Sequence, residues 1–283
     1  MRYLKYHALG NDYIVLRPST FGVELSPDRV RTICHPNYGI GSDGILYGPI
    51  ESAVCDFGLR IFNPDGSEAE KSGNGLRIFA RSLYDEGLVG ERPFSVETPG
   101  GMVTCTVKKG GRSVTVEMGE VSFDSRRIPV AGPPREVLNE AICAGGRTFT
   151  FCAATVGNPH CIVFSDAPTP SEARQYGPLI ETDPRFPNRT NVQFMQVMDR
   201  ENIRIEIWER GAGYTLASGS GSTAAAAVAH RLGLCDPEIT VHMPGGEIHI
   251  QFSDGFFATM TGPVTKVCEG VMVQEIFGET LQL

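Results

Sequence analysis

No two of the eight cysteines in this 283-residue chain form a CxxC pair. Cys34, Cys55, Cys105, Cys143, Cys152, Cys161, Cys235 and Cys268 are scattered, which argues against a zinc site and against a small disulfide scaffold. Free, buried thiols are the expectation, and no metal is expected. Positive charge is also scarce: 25 Lys and Arg stand against 33 Asp and Glu, a net charge of −8. That sign disfavours a nucleic-acid partner or an anionic membrane surface. No apolar run approaches the roughly 20 residues of a spanning helix, and residues 1–10 (MRYLKYHALG) lack the apolar stretch of a secretory signal. A cytoplasmic protein is expected. No lysine motif for pyridoxal phosphate and no ligand cluster stands out, so no cofactor is expected. What the chain does have is 41% apolar residues, enough for a large core.

It also repeats itself. Gly10-Asn11-Asp12-Tyr13-Ile14-Val15-Leu16 resembles Gly157-Asn158-Pro159-His160-Cys161-Ile162-Val163-Phe164, Phe62-Asn63 aligns with Trp208-Glu209, Ser72-Gly73-Asn74-Gly75 with Ser218-Gly219-Ser220-Gly221, and Pro99-Gly100-Gly101 with Pro244-Gly245-Gly246. Four matches in one order, all about 146 residues apart, point to duplication. Short runs rich in β-branched and aromatic residues at 13–16, 59–62, 103–107 and 113–118 read as strands. Residues 76–84 and 223–232 are good helix formers, and each follows a Gly-rich turn. The predicted organisation is an N-terminal half, 1–126, with a central helix near 74–86, and a C-terminal half, 145–268, with a central helix near 220–233. Residues 127–144, carrying Pro129, Pro133 and Pro134, are read as the crossing between halves. Residues 269–283 are read as a tail that pairs back onto the N-terminal half. Each half is an α/β unit in which a mixed sheet wraps one buried helix, and the repeated turns are expected to face each other across a cleft.

A helix start presents unpaired N–H groups and the positive end of the helix dipole, so residues 73–76 and 219–222 are two candidate anion sites, able together to hold a carboxylate. Ser72 and Ser218 also read as ordinary N-caps. His160 ends a turn, where an imidazole titrating near neutrality suits proton transfer; a surface or core-capping histidine fits the segment equally well. Glu209 ends an alternating strand, 202–208, and is carried to the mouth of whatever that sheet encloses, with a surface ion pair to Arg210 as the alternative. Asn11, Asn63, Asn74, Asn158 and Asn191 adjoin turn residues, where Asn is enriched for backbone reasons and where its amide can also read amino and carboxylate groups.

The blocks His7-Ala8-Leu9-Gly10-Asn11-Asp12-Tyr13, Gly39-Ile40-Gly41-Ser42-Asp43-Gly44, Phe62-Asn63-Pro64-Asp65-Gly66-Ser67, Gly73-Asn74-Gly75-Leu76-Arg77, Gly157-Asn158-Pro159-His160, Asn191-Val192 and Glu209-Arg210-Gly211-Ala212-Gly213 resemble those of the diaminopimelate epimerase family, in its order and over nearly the whole chain. The resemblance implies two pseudo-symmetric α/β domains, each a mostly antiparallel barrel-like sheet around a central helix, assembled as a homodimer. It implies cofactor-independent inversion of an α-carbon of diaminopimelate, in lysine and peptidoglycan precursor synthesis. In that family one cysteine before each central helix acts from each side of the α-carbon; here Ser72 and Ser218 occupy both places. A hydroxyl is a far weaker acid than a thiol and needs a neighbouring base. Three readings stay open at this point: an epimerase with both reactive cysteines replaced, a variant in which His160 and Glu209 carry the proton, including on another amino acid or in a lyase reaction, and an amino-acid-binding protein without turnover. Carried over residue by residue, the catalytic positions are Ser72, Ser218, His160 and Glu209. The substrate contacts are Asn11, Asn63, Gly73, Asn74, Asn158, Asn191, Glu209, Arg210, Gly219 and Ser220. Gly73, Asn74, Gly219 and Ser220 would hold the carboxylate at the reacting carbon, and Asn63, Asn191, Glu209 and Arg210 the amino groups and second carboxylate. Gly44 replaces a glutamine that contacts the distal end of the substrate in many members, and the second turn departs from the family's Cys-Gly-Thr-Gly.

Overall fold

The structure, a computed structural model, describes residues 1–278. It divides into two compact units, Met1–Val116 with the residues from Gly262 onward, and Glu117–Thr261. In the first, strands Arg2–Ala8, Asn11–Leu16, Ile45–Ile50, Phe57–Phe62, Phe94–Thr98 and Gly101–Lys108 follow one another around the helix Gly73–Asp85. Most pairings are antiparallel. Two are parallel, with Ile14 opposite Ile45 and Phe57 opposite Val96. Leu76, Ile78, Phe79, Ala80 and Leu83 are all fully buried, and so is Arg77, so the helix is covered around most of its circumference although one side of it is polar. It packs against Arg2–Ala8, Asn11–Leu16 and Gly101–Lys108.

The second unit repeats this plan with Arg147–Thr155, Pro159–Phe164, Asn191–Val197, Asn202–Glu209, Glu238–Met243 and Gly246–Ser253 around the helix Gly219–Arg231. The parallel pairings fall in the corresponding places, with His160 opposite Asn191 and Asn202 opposite Thr240. Ala224, Ala225, Ala226 and Ala227 are fully buried, and their small side chains let the surrounding strands approach the helix backbone. A second helix, Pro170–Glu181, lies outside the strands Asn191–Val197 and Asn202–Glu209. The fold is α/β, with a mixed, mostly antiparallel barrel-like sheet around one helix in each unit.

The unit boundaries differ from those read off the sequence. Residues 127–144 are no free crossing but part of the second unit. Ile128, Val130 and Val137 are buried in its core with Phe151 and Phe194, and Glu140–Ala144 pairs antiparallel with Arg147–Thr155. At the other end the second unit stops at Thr261, not residue 268, because Thr265–Val271 pairs antiparallel with Arg2–Ala8, placing Arg2 opposite Val271. Of the predicted tail 269–283, residues 279–283 lie outside the described residues. Cys143 and Cys268 are exposed and Cys55 half-buried, against the expectation of burial, since each sits on an outward-facing position of its segment. No group of three or more His, Cys, Asp or Glu among the described residues could hold a metal.

Candidate functional site

Each central helix begins at a serine N-cap, and the two caps have nearly the same geometry. Ser72 (φ −138°, ψ 118°) accepts from the Gly75 N–H, and Ser218 (φ −140°, ψ 118°) from the Gly221 N–H. The cap distances are 3.0 and 3.2 Å. A helix start is a place where first-turn N–H groups can face an anion. Glycine is required at 221 by close approach: a Cβ there would lie 2.8 Å from Gln193 Nε2 and 3.0 Å from Ser218 Oγ.

In the first unit the Tyr13 hydroxyl lies 3.2 Å from Ser72 Oγ. The residue types of positions 13 and 44 are linked: a Cβ at Gly44 would come within 2.6 Å of both Tyr13 Cε1 and the Phe62 carbonyl. Any side chain at 44 therefore requires the Tyr13 ring and the Phe62 backbone to shift. A directional chain of hydrogen bonds passes under the helix start. Arg77 Nη2 donates to Asn74 Oδ1 (2.5 Å), Asn74 Nδ2 to Asn11 Oδ1 (3.0 Å), and Asn11 Nδ2 to Asp43 Oδ2 (2.9 Å). Arg77 can only donate and an ionised Asp43 can only accept, so the two ends set which way both asparagine amides face. Arg77 is fully buried, and burial lowers its guanidinium to about 10. Burial likewise raises the Asp43 carboxyl, opposed by the hydrogen bonds it accepts. Asn11 and Asn74 are thus brought together. Asn63 is turned to its own loop, where Nδ2 donates to Ser67 Oγ at 2.9 Å.

In the second unit a similar chain leads to Ser220. Asn158 Nδ2 donates to Ser220 Oγ (3.2 Å), Asn158 Oδ1 lies 3.0 Å from His160 Nε2, and His160 Nδ1 lies 3.1 Å from Gln193 Oε1. The parallel register, Ile162 opposite Gln193, sets His160 and Gln193 on one face. His160 is fully buried, and burial lowers its imidazole to about 4. It is therefore neutral near pH 7, against the expectation of a group titrating there. A neutral ring donates from one nitrogen only. Both ring nitrogens face amide oxygens, Asn158 Oδ1 and Gln193 Oε1, so the neutral ring donates to only one of them, and Gln193 Nε2 has no partner. Gly157, at φ 116°, supplies the turn that brings Asn158 to this position.

Asn191 and Arg210 also meet: Asn191 Oδ1 accepts from the Arg210 backbone N–H at 3.0 Å, and Asn191 Nδ2 donates to the Pro159 carbonyl at 2.8 Å. Arg210 Nη1 reaches the Asn188 carbonyl at 3.1 Å. Glu209, half-buried, ends its strand beside them. Tyr13, Asp43, Arg77, Gln193 and Glu181 were missed as site residues. The first four lie inside or beside the recognised blocks, but only three-dimensional pairing shows what they hold.

The sequence profile of the family described as "Diaminopimelate epimerase" matches residues 3–123 and 152–267, one segment for each copy of the repeat. The chain is 61% identical over 277 residues to "Diaminopimelate epimerase 2" of Nostoc sp., covering 98% of this chain and 97% of that protein. It is 41% identical over 276 residues to the diaminopimelate epimerase of Moorella thermoacetica, covering 95% and 98%. Among solved structures, a hydroxyproline epimerase from Agrobacterium vitis with bound trans-4-hydroxy-L-proline superposes with a TM-score of 0.67 at 17% identity, covering 95% of this chain and 91% of that one. A phenazine biosynthesis protein of the PhzF family from Bacillus anthracis does so with 0.67 at 15% identity, covering 96% and 99%. At these identities the structural likeness speaks for the fold alone.

Proposed function

Since this chain belongs to the diaminopimelate epimerase family, we propose that it is a cofactor-independent isomerase that interconverts LL- and meso-diaminopimelate by α-proton exchange. The observation that carries the reading is the pair of matching capped helix starts, Ser72 before Gly73 and Ser218 before Gly219, at the places of the family's two reactive cysteines. In this proposal the first-turn amides at Gly73, Asn74, Gly219 and Ser220 receive the carboxylate of the reacting centre, which makes the α-proton easier to remove by spreading the developing negative charge. Asn63, Asn191, Glu209 and Arg210 take the amino groups and second carboxylate. One serine, in the small fraction that has lost its own hydroxyl proton to water, takes the α-proton as an alkoxide. The hydroxyl of the other gives a proton to the carbon from the opposite face and is reprotonated from water. A hydroxyl cannot be brought to neutrality by a helix start as a thiol can, so exchange is slow with serine at both positions. His160, held neutral between two amides, supports the reading by aiming Asn158 at Ser220; it is a poor candidate for the base of a serine-free mechanism.

No helix among the described residues is long and apolar enough to cross a membrane. A cytoplasmic homodimer acting on a free amino acid, without a nucleic-acid partner, completes the proposal.

The test is solvent deuterium incorporation at the α-carbon of meso-diaminopimelate, beside calorimetric binding of the same compound. The parent should bind and exchange slowly, and the double variant Ser72→Cys, Ser218→Cys should exchange faster by orders of magnitude. Binding without gain in the double variant would overturn the assignment of these two serines to the reacting carbon, and release of ammonia or water would replace the epimerase reading by a lyase.

A further inference from the structure

Glu181, the last residue of the helix Pro170–Glu181, is 3% exposed and outside every block quoted above. Its carboxylate is fully engaged. Oε2 accepts from the Trp208 indole N–H at 2.7 Å and Oε1 from the Gly211 backbone N–H at 2.9 Å, while Arg189 forms an ion pair with it. The main-chain carbonyl of Glu181 accepts from the Thr190 N–H at 3.2 Å. Trp208 and Gly211 flank Glu209 and Arg210, and Thr190 precedes Asn191, whose Oδ1 holds the Arg210 N–H. One turn back along the same helix, Gly177 lies flat against the indole: a Cβ there would sit 2.5 Å from Trp208 Cγ. One buried carboxylate therefore references both segments that carry Asn191, Glu209 and Arg210.

We propose that Glu181 is a positioning residue that sets the aim of Glu209 and Arg210 by clamping the 208–211 turn at both ends. The inference rests on the reading that Glu209 and Arg210 grip the amino-acid ligand, and it deepens that reading. A carboxylate is needed because both faces of the clamp are N–H donors. A glutamine offers one oxygen and one NH2 group, and that NH2 would confront a donor where an acceptor is required.

Trp208 is the only tryptophan in the chain, so its emission reports the clamp without a label. In the full-length protein, Glu181→Gln should shift that emission while the circular dichroism spectrum and cooperative melting persist. It should also weaken calorimetric binding of meso-diaminopimelate by tenfold or more. In the Ser72→Cys, Ser218→Cys background, the loss should fall on KM more than on kcat, because ligand grip and not proton transfer is disturbed. Glu181→Asp, which keeps both acceptor oxygens, should recover part of the affinity. An unshifted emission, or a shifted emission with parent-like binding and KM, overturns the proposal. A parent that binds no diaminopimelate sinks the functional reading instead. The clamp is then decided by amide hydrogen exchange at residues 209–211: at least tenfold faster exchange in Glu181→Gln supports it, and unchanged exchange overturns it.

Discussion

Acidification from pH 7 to pH 4 addresses a single buried ring, His160. Its ordinary value of 6.5 is lowered to about 4 by burial, with only partial opposition from the hydrogen bond to Gln193. The unfolded chain therefore takes up a proton at this residue as pH falls through 6.5, while the folded chain resists until about 4. Stability is full above the unfolded value, declines across that window and levels off below it. At 1.36 kcal/mol per unit, the His160 contribution to that decline is about 3 kcal/mol. Urea unfolding of the parent and of His160→Gln at half-unit intervals from pH 7 to 4 isolates this contribution, because the carboxylates are common to both proteins. The difference between the two stability curves should change by about 3 kcal/mol over the window. Parallel curves, or a His160 ring-proton midpoint near 6.5 by NMR, would refute the reasoning. With it would fall the conclusion that this imidazole works uncharged, as a strut between Gln193 and Asn158.

The caps can be weighed separately from any chemistry. Ser72→Ala and Ser218→Ala each remove the acceptor for a first-turn N–H and should cost about 1 kcal/mol, read by thermal or urea unfolding. A cost near zero in both would argue that these hydroxyls do not hold their helices. Gly177→Ala drives a methyl into Trp208 and should destabilise by about 1–3 kcal/mol, with a change in the emission of that residue. Emission and stability both equal to the parent's would mean the helix and the indole are not packed as described.

The repeat was legible because its turns are written in glycine, asparagine and proline, which carry backbone information locally. Both central helices begin within one or two residues of the expected positions for the same reason: Ser at the cap and Gly in the first turn are local signals. The 127–144 segment was misread because proline content resembles a linker, while what ties the segment down, Val137 packing on the core and the Ala153 N–H donating to its carbonyl, is long-range. The candidate site divides along the same line. Asn11, Asn74, Asn158 and Ser220 lie in the turns and could be read. The groups that orient them, Arg77 from within a helix and Gln193 from a strand interior, have no local signature separating them from any other residue of those elements. His160 shows the limit most clearly, since its chemistry depends on burial that a tripeptide turn does not reveal.

The four consecutive alanines inside the second central helix carry a further implication. With so little side chain between backbone and surrounding strands, that helix has almost no slack, and its depth is fixed to within a methyl group. Ser218 and Ser220 stand at its tip, so a swelling of the interior, such as Ala226→Val, would push the tip along with the rod. Ligand affinity would then register changes far beneath the surface as readily as changes at it, and tolerance to mutation in this unit should follow distance from the helix axis more closely than distance from the ligand.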